Sequence, residues 1–591
     1  MPPALLDTQN LLRRNLVFGH LSDVELRSVE REMAAMSVPG GQLLFARGEP
    51  PDALYVLKSG SLGAFLVPEA GGAPQLVSLV DSGQTIGAFG MLTRQERAFD
   101  LRALRDSELL RLPREGFDAL IREHPQAILG AAQLALERLL EENQNPPTIL
   151  PHTFAVLPFD HHVPVRELAE QLRHALQPYG DCLLIDAATG KGHDSGWFAE
   201  REHEVRFVLY VDEGADPLWR ELCRRQADAL LLVVNAGRRE EAWPDRAALD
   251  EHAAWERPRY LLLQHPGADI LPGAARRWHG AFTRPVRQHH VRSGQQERDL
   301  ARLARLLTRH STGLVFSGGG ARGFAAIGVV RALREAGIEI DAVGGTSIGA
   351  IIGAGVAMEW DDARLYQTYK RAFVDGRPLS DRTFPLVALS RGRRTVNLLR
   401  EVNGEHDIED LPLSYFCVVS NLTSGRAEIR HAGRLWFWLR ASSAIPGILP
   451  PVLHRGQVYV DGAVINNLPT DVMRDTGVAN IIACDISADD AVSARIEECF
   501  LPSAWQVLMQ SSSHVRPGLL PILLRAGMVN TEAASVRRRE LADRLLTPAL
   551  SEVGLLDWKA YDHAIEAGYR HTRRALEDGT WQAAGSRTMG A

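Results

Sequence analysis

The chain is poor in cysteine and in clustered metal ligands. Its 591 residues include five cysteines: Cys182, Cys223, Cys417, Cys484 and Cys499. Their odd number, without any C-x-x-C spacing, indicates neither a disulfide framework nor a zinc site. The pairs His161-His162 and His289-His290 have no acidic or cysteine cluster beside them, so we expect no metal. A reducing compartment, the cytoplasm, fits this composition best.

Long apolar runs, a leader peptide and an excess of positive charge are missing as well. No window reaches the roughly 18 apolar residues that a membrane span needs, and Val343–Met358 is interrupted by glycines. The first thirty residues lack a basic start followed by an apolar run and a cleavage site. The formal net charge of -7 argues against a general nucleic-acid binder. We therefore expect any membrane contact to be peripheral, at the inner face.

What remains is the composition of a globular protein, with 45% hydrophobic and 24% charged residues. A length of 591 residues suggests about four domains, but the sequence patterns support three and an extension. We predict a multidomain α/β protein. Its parts are a β-roll domain (1–145), a middle α/β layer domain with a linker helix (146–310), a third α/β domain (311–500) and a helical extension of that domain (501–591).

The first two domains have distinct patterns. Short alternating segments from Gly40 to Leu112, separated by glycine-containing turns, predict a small β-roll with helical flanks, and the proline-rich run 143–151 predicts a linker. Beyond it, buried strands alternate with helices such as Val165–Leu176, as in a layered α/β fold. Its segment Thr189–Gly192 lacks the first glycine and the Ser/Thr after lysine of a phosphate loop, so we expect a structural or docking role.

Two glycine motifs open the third region. The run Gly318–Gly323 (GGGARG) follows the strand LVFS and precedes a helical pattern over Ala325–Glu335. Alone it satisfies G-x-G-x-x-G, and Asp341, 18 residues on at the end of the predicted strand IEID, matches the ribose-binding acid of a dinucleotide fold. A dinucleotide-dependent oxidoreductase is therefore one hypothesis.

The second motif supports a different chemistry. Gly345, Ser347 and Gly349 lie in GTSIG, between a buried strand and an apolar helix, as a nucleophile elbow requires. Glycines two residues before and after Ser347 would let strand and helix approach closely and leave its hydroxyl exposed. The backbone N–H groups of Gly318, Gly319 and Gly320 would then form an oxyanion hole, with Arg322 ordering the loop or the anion.

A serine hydroxyl needs a base at neutral pH. Asp461 ends an apolar strand and is followed by Gly462 and Ala463, a tight turn that would direct the carboxylate into a site at the strand ends. It lies 114 residues from Ser347, so only the fold can bring the two together.

These motifs, GGGARG, GTSIG and DGA in that order, resemble those of the patatin-like phospholipases. The stretches Ala441–Gly447 and Val464–Pro469 are similar to family sequences as well. The resemblance implies an α/β/α domain, a Ser347–Asp461 dyad without a catalytic histidine, and hydrolysis of acyl esters in phospholipids or lysophospholipids. It implies no cofactor for catalysis.

The first domain narrows the resemblance. Residues Gly83–Arg102 resemble the phosphate-binding cassette of cyclic-nucleotide-binding domains, with Gly87, Arg97 and Ala98 at matching positions. With the middle and catalytic domains, this order resembles the neuropathy target esterase group of lysophospholipases and implies control or placement of an esterase. Ala88 stands where the family has a glutamate for the ribose hydroxyl, so we expect weak or absent cyclic-nucleotide binding. A structural roll and a nucleotide sensor both stay open, and a non-catalytic nucleotide sensor whose output passes through the middle domain is a further hypothesis for the whole chain.

Several further features leave alternatives. A full catalytic triad would recruit a downstream histidine such as His514, His563 or His571. The segment Leu519–Leu524 fits a buried helix or a membrane-facing patch. Two arginine clusters fit either solvated faces or a surface that attracts anionic lipid headgroups: Arg391, Arg393 and Arg394, and Arg537, Arg538 and Arg539.

Overall fold

A computed structural model describes the chain in two units, Met1–Ala268 with Arg277–Ala304, and Asp269–Arg276 with Arg305–Ala591. The described residues are 8–67, 74–130, 132–133, 151–160, 163–238, 257–280, 282, 286–384, 386–487 and 535–578. The predictions outside these residues concern most of the linker (143–150), His161-His162, Cys499, His514 and Leu519–Leu524. Among the described helices, none combines the length and the apolar character that crossing a bilayer requires.

The first unit begins with the predicted β-roll. Its strands are β1 Ala34–Val38, β2 Leu43–Phe45, β3 Ala53–Ser59, β4 Leu62–Leu66, β5 Gln75–Val80, β6 Thr85–Ile86, β7 Asp100–Ala103 and β8 Ser107–Pro113. They form two antiparallel sheets, ordered β1-β8-β3-β6 and β2-β7-β4-β5. Alternation directs Leu57, Leu62 and Leu101 into one buried cluster. The helices are α1 Thr8–Arg13, α2 Asp23–Glu32, α3 Ala88–Thr93 and α4 Arg114–Glu123.

The rest of the first unit is a parallel sheet with helical connections. Its strands are β9 Thr153–Pro158, β10 Cys182–Ile185, β11 Phe207–Val211, β12 Ala229–Asn235, β13 Arg259–His265 and β14 Arg287–Arg292. They are ordered β10-β11-β9-β12-β13-β14, and every pair is parallel. The helices are α5 Val165–Leu176, α6 Ala187–Gly190, α7 Ser195–Glu204, α8 Pro217–Gln226, α9 Ala274–His279 and α10 Gln296–Leu307, of which α9 begins and α10 ends outside this unit. β11 (FVLYV) and β12 (ALLLVVN) are almost entirely apolar, which is typical of strands in parallel sheets covered on both faces.

The second unit is built on one mixed sheet. Its strands are β15 Thr312–Phe316, β16 Ala342–Thr346, β17 Ser414–Asn421, β18 Arg426–Arg430, β19 Val452–His454, β20 Gln457–Asp461, β21 Asn480–Cys484 and β22 Arg544–Leu546. The order is β19-β20-β17-β16-β15-β21-β22, with β18 also paired to β17. Strands β17, β16, β15, β21 and β22, which are neighbours in this order, are parallel to one another. Strands β18 and β20 run antiparallel to β17.

Helices cover this sheet, and one of them, α12 (Ile348–Ala357), is completely buried in the core. They are α11 Ala325–Glu335, α12 Ile348–Ala357, α13 Asp362–Tyr369, α14 Arg393–Asn403, α15 Leu435–Ser442, α16 Thr470–Asp475 and α17 Tyr561–Glu577. All ten residues of α12 are buried, as expected of a helix that is apolar on every side. One apolar cluster includes Phe324 and Ile351, and a second includes Phe416 and Met473. These two clusters fit the predicted α/β/α layering.

Two local predictions are wrong. The segment IEID is not a strand; the strand begins at Ala342, so Asp341 precedes β16 instead of ending a strand. The extension after residue 500 is not purely helical, because β22 adds a parallel edge strand beside β21. Both segments are too short for periodicity to separate a strand from the turn beside it.

Candidate active site

Ser347 occupies a strained turn between β16 and α12. Its backbone has φ 56° and ψ -124°, a conformation that is costly for a residue with a side chain. A Cβ on Gly345 would lie 2.8 Å from the carbonyl carbon of Gly349, and one on Gly349 would lie 2.5 Å from the carbonyl oxygen of Ser317. Neither position admits a larger residue, so both glycines permit the close approach of strand and helix that was predicted for the elbow.

Strand register brings Asp461 to Ser347. β17 lies between β16 and β20; its Val418 pairs with Thr346, and its Val419 pairs with Asp461. The hydroxyl of Ser347 donates a hydrogen bond to Asp461 Oδ2 at 2.6 Å, and both residues are buried. Asp461 therefore reaches the site from the end of an antiparallel strand, β20.

The carboxyl of Asp461 lies in an environment that disfavours its charge. Burial raises the pKa of this carboxyl to about 7, although hydrogen bonds from the Ser347 hydroxyl and the Ala463 N–H oppose the shift. The Ala463 N–H donates to Oδ1 at 2.9 Å, which leaves Oδ2 for the serine. A carboxylate with a pKa near neutrality is a stronger proton acceptor than an exposed one.

The glycine loop lies beside Ser347 but uses its N–H groups differently from the prediction. The N–H of Gly318 donates to Asn467 Oδ1 at 3.0 Å, so it is not free for an oxyanion. Gly319 and Gly320 stand at the start of the 3₁₀ helix Gly320–Phe324, where N–H groups have no partner within a helix. Within the described part of the chain, no hydrogen bond occupies either N–H, and Gly320 lines the cleft with Ser347.

Arg322 acts on the loop and not on the reacting atoms. Its side chain is buried, and its Nε donates to the carbonyl oxygen of Val553 at 2.7 Å. The neighbouring N–H of Ala321 donates to the carbonyl oxygen of Leu555 at 2.8 Å. The C-terminal extension therefore fixes the glycine loop, and of the two roles considered for Arg322 the structure fits the ordering of the loop.

Asn467 and Ser442 are positioning residues that motif analysis missed. Asn467 takes the Gly318 N–H and donates to the Gly318 carbonyl oxygen at 3.3 Å. Ser442 accepts the Ser347 N–H at 3.0 Å and donates to the Val418 carbonyl oxygen at 2.6 Å. Ser442 lies in Ala441–Gly447 and Asn467 in Val464–Pro469, the two stretches that resemble family sequences. That resemblance was the only sequence feature that could have identified them.

An apolar cleft opens above the hydroxyl of Ser347. Its free space, counted together with the solvent at its open side, is about 650 Å³. Most of its lining is aliphatic or aromatic: Ile348, Ile351, Tyr369, Ala372, Phe373, Pro378, Leu379, Leu398, Leu399, Val402, Ile445, Leu449, Leu556 and Trp558. Ser347, Ser443, Thr395 and the backbone of Gly320 supply the polar lining. A cleft with this lining suits an extended apolar group with its polar end at the serine.

One wall of the cleft contains a departure from regular helix. Residues Lys370–Asp375 form a π-helical turn after α13, and Ala372 and Phe373 within it line the cleft. Such turns occur often at functional sites. The C-terminal extension contributes Leu556 and Trp558 to the same lining, which no motif in that part of the sequence predicted.

The other candidate residues lie elsewhere. His563 is exposed, and the ring of His571 accepts the N–H of Thr547 at 3.1 Å, so neither contacts the dyad. Asp341 is fully buried, pairs with Arg305 at 2.7 Å and lies at the amino end of β16, whereas the glycine loop follows the carboxyl end of β15. Because the two strands are parallel, Asp341 and the loop are at opposite edges. This placement contradicts the ribose-binding role.

In the predicted phosphate cassette of the β-roll, the arginine that would bind the phosphate already contacts the protein itself. Arg97 is buried over the ring of Phe45 and donates from Nη2 to the Ala53 carbonyl oxygen at 2.8 Å. Its Nε and Nη1 are buried with no hydrogen-bond partner in the described residues. Gly87 has φ 89° and faces this guanidinium, whereas Ala98 is exposed. Ala88 is buried among apolar side chains.

Within its described residues, the middle domain offers neither a metal cluster nor an open phosphate loop. Thr189 N–H donates to Asp186 Oδ1 at 2.9 Å, and Lys191 pairs with Asp216 at 2.5 Å. His290 contacts His265 at 2.9 Å. Across the described ranges, no group of three or more His, Cys, Asp or Glu side chains could hold a metal.

Three family models match successive parts of the chain. "Cyclic nucleotide-binding domain" matches residues 35–124, "Neuropathy Target Esterase family P-loop like domain" matches 151–308, and "Patatin-like phospholipase" matches 314–474. The three matches confirm the predicted resemblance and the multidomain α/β class. The chain thus combines a cyclic-nucleotide-binding-type roll, a P-loop-like α/β domain and a patatin-like phospholipase domain.

Curated relatives align with nearly the whole chain. Patatin-like phospholipase domain-containing protein 7 of Mus musculus is 29% identical, over 93% of this chain and 46% of its own length. Patatin-like phospholipase domain-containing protein 6 of Homo sapiens is 28% identical, over 92% and 44%. Lysophospholipase nte1 of Aspergillus fumigatus is 28% identical, over 92% and 42%. The chain therefore spans less than half the length of these relatives.

Proposed function

We propose that this chain, which carries a patatin-like phospholipase domain, is a serine acyl hydrolase of phospholipids or lysophospholipids. The observation that carries the proposal is the 2.6 Å hydrogen bond from the Ser347 hydroxyl to Asp461, at the base of an apolar cleft. The names of the relatives support the same class of reaction. A dinucleotide-dependent oxidoreductase has no use for this pair.

The acylation step follows from the positions of the two side chains. Ser347 Oγ attacks the ester carbonyl carbon and forms a C–O bond while its proton passes to Asp461 Oδ2. The N–H groups of Gly319 and Gly320 stabilise the negative oxygen, aided by the amino end of α12. The tetrahedral intermediate then breaks its bond to the alcohol oxygen, which takes the proton from Asp461. An acyl-enzyme and a free alcohol result.

Deacylation repeats these steps with water. Asp461 accepts a proton from water as the water oxygen attacks the acyl carbonyl, and the same N–H groups stabilise the oxyanion. The bond to Ser347 Oγ then breaks, and the proton returns to the serine. The fatty acid leaves, and both side chains are restored.

The cleft supplies binding energy for the acyl chain. Each buried methylene contributes about 0.8 kcal/mol, so the apolar lining favours a long acyl chain over a short one. Residues 1–310, in this proposal, regulate or place the hydrolase. The cytoplasm remains the proposed compartment because the cysteines Cys182, Cys223, Cys417 and Cys484 are free thiols.

A substrate panel tests the function. Lyso- and diacyl-phospholipids are incubated with the wild type and with Ser347→Ala, and fatty acid release is measured. We expect release by the wild type and a loss of at least about 10³-fold in the variant. Ser443→Ala is the matched control, because Ser443 lines the same cleft but donates to the Leu439 carbonyl oxygen. Equal release by wild type and Ser347→Ala would overturn the proposal.

A further inference from the structure

A short hairpin beside the cleft exposes an unusual run of apolar side chains. Arg382 pairs with Ser390 in an antiparallel bridge, and the Thr383 N–H donates to the Leu389 carbonyl oxygen at 3.0 Å. We call the described residues 382–384 and 386–390 the apolar hairpin. Its exposed side chains are Phe384 (78%), Leu386 (84%), Val387 (67%) and Leu389 (47%). No other stretch of six positions in the described residues exposes as many large apolar side chains.

The hairpin is held in its projecting position by its base. The N–H groups of Leu389 and Ser390 donate to the carbonyl oxygens of Gly447 and Ile448, at 2.9 and 3.0 Å. The Ser390 hydroxyl also donates to Asp381 Oδ1 at 2.5 Å. These hydrogen bonds fix the base of the hairpin, so the fold itself holds the apolar tip in solvent. An apolar patch of this kind usually marks an interaction site.

Arginines surround the hairpin. Five lie between residues 377 and 394, and all are exposed: Arg377, Arg382, Arg391, Arg393 and Arg394. None of them forms an ion pair within the described residues. Asp381 is the one acidic residue in this range of the sequence, and it is engaged by the Ser390 hydroxyl and the Arg394 N–H. The local charge is thus positive although the chain is acidic overall.

The other predicted arginine cluster behaves differently. Arg538 pairs with Asp471 at 3.2 Å and Arg539 with Asp485 at 2.7 Å. Those arginines join the C-terminal extension to the catalytic sheet and have little capacity left for a ligand. Of the two predicted arginine clusters, the one around the hairpin is therefore the better placed to bind anionic groups.

The hairpin also adjoins the cleft. Pro378 and Leu379, which precede it, line the cleft, and so do Ile445 and Leu449, which flank its anchor. A surface that received the hairpin would lie next to the entrance for an acyl chain. This contiguity favours a lipid surface over a protein partner.

We propose that the apolar hairpin docks the catalytic unit on an anionic lipid bilayer. The side chains of Phe384, Leu386 and Val387 enter the boundary between headgroups and acyl chains, and the arginines contact lipid phosphates. This docking proposal rests on the proposed hydrolase function, because the bilayer would supply the substrate. It adds how the catalytic unit reaches lipid that never leaves the membrane.

Vesicle flotation of the full chain tests the docking. The vesicles contain phosphatidylcholine alone or with phosphatidylglycerol, and the inactive Ser347→Ala background prevents hydrolysis during the assay. We expect binding to the anionic vesicles, weakened when salt rises from about 0.1 M to about 1 M. Replacing Phe384, Leu386 and Val387 together by serine should weaken binding at least about tenfold. Replacing Arg391, Arg393 and Arg394 by glutamine should weaken it by about fivefold per arginine.

Two matched controls carry equivalent changes elsewhere. Leu453→Ser removes an exposed leucine of the same unit, and Arg537→Gln removes an exposed arginine. Both should bind vesicles like the parent. Unchanged vesicle binding by the hairpin variants would overturn the proposal. It would also be overturned if light scattering showed that the hairpin variants change oligomeric state, because the hairpin would then be an interface between copies of this chain.

Hydrolysis assays separate the two proposals. In an active background, the hairpin variants should keep wild-type turnover of a water-soluble short-chain ester while losing turnover of lipid in anionic vesicles. If the wild type hydrolyses neither substrate but still binds vesicles through the hairpin, the proposed function fails and the docking surface stands. If hairpin variants hydrolyse vesicle lipid as fast as the wild type, the docking fails and the hydrolase stands.

Discussion

At the scale of single residues, the environment of Asp461 explains how a carboxylate could serve as a base without histidine. The side chain is buried and holds its Oδ1 on the Ala463 N–H, so only Oδ2 faces the serine. A buried carboxylate is poorly solvated and binds a proton more tightly than an exposed one. Its protonation state should therefore control the rate near neutral pH.

The first prediction is a pH profile. Because burial raises the pKa of Asp461 to about 7, the ionised base is scarce below that pH and predominates above it. On a soluble ester without ionisable groups, kcat/KM should rise with pH, pass half its maximum near pH 7 and level off above about pH 8. A rate that is constant from about pH 5 to pH 9, or that falls as the pH rises, would contradict this role.

The second prediction concerns Gly320 in the glycine loop. Its φ is 57°, and a Cβ would lie 2.0 Å from the Leu555 carbonyl oxygen. Gly320→Ala should displace the loop and lower kcat about 10²–10³-fold, as loss of an oxyanion donor does. Gly425→Ala is the control, since its φ is 69° but nothing lies near the added carbon. Similar kcat values in the two variants would refute the assigned role of the loop.

The sequence predicted that Ser347 and Asp461 would meet, but it did not predict the hydrogen bonds around them. Ser347 and Asp461 could be found because elbow and turn motifs demand particular residues at fixed spacing. Gly318 could not be separated from Gly319 and Gly320 in this way, because its N–H is taken by Asn467, which is 149 residues away. Contacts of that range depend on the fold, and a motif contains no information about them.

At the scale of elements, α17 secures the C-terminal extension on the catalytic domain. α11 and α17 cross at glycines: a Cβ on Gly568 would lie 2.1 Å from the Ala325 carbonyl oxygen, and one on Gly328 would lie 1.9 Å from that of Ile565. The segment before α17 holds the glycine loop through Val553 and Leu555. Packing of this helix pair should therefore affect both stability and catalysis.

The third prediction uses Gly568→Ala. Alanine favours helix over glycine by about 1 kcal/mol, but here the added carbon collides with backbone, so we expect a net loss of about 1–3 kcal/mol in the free energy of unfolding. Gly554→Ala is the comparison, because its added carbon meets nothing closer than 3.7 Å. Denaturant unfolding of both variants measures the difference. Equal stability would show that the helices do not cross this closely.

The fourth prediction concerns the β-roll. We expect no saturable heat when cyclic AMP or cyclic GMP is titrated to about 100 μM. Ala88 supplies no carboxylate for the ribose hydroxyl, and Arg97 is already bonded to the Ala53 carbonyl oxygen. Saturable binding that disappears in Arg97→Gln would contradict a purely structural roll and favour a sensor.

Elements with strong periodicity were predictable, and the others were not. α5 and α11 match the predicted ranges, because apolar residues recur at helical spacing. β14 reads as a polar segment, RQHHVR, yet its last four residues are buried. Its polar groups are satisfied within the fold: His290 contacts His265 at 2.9 Å, and Arg292 pairs with Asp299 at 2.6 Å. Hydrophobicity alone cannot reveal such a strand.

At the scale of the whole molecule, length first suggested about four cores. The family matches divide the chain into a roll, a P-loop-like domain and a patatin-like domain. The fourth predicted part is not a core of its own, because its described residues add β22 and α17 to the catalytic domain. They also complete the cleft with Leu556 and Trp558.

The central claim is that Ser347 is the nucleophile and Asp461 its base. A fluorophosphonate probe tests it most directly, because the probe bonds only to an activated serine and mass spectrometry identifies the modified residue. We predict one adduct, on Ser347, in the wild type, none in Ser347→Ala and markedly slower labelling in Asp461→Asn. Labelling of Ser347→Ala at the wild-type rate, or an adduct on another residue, would contradict the account.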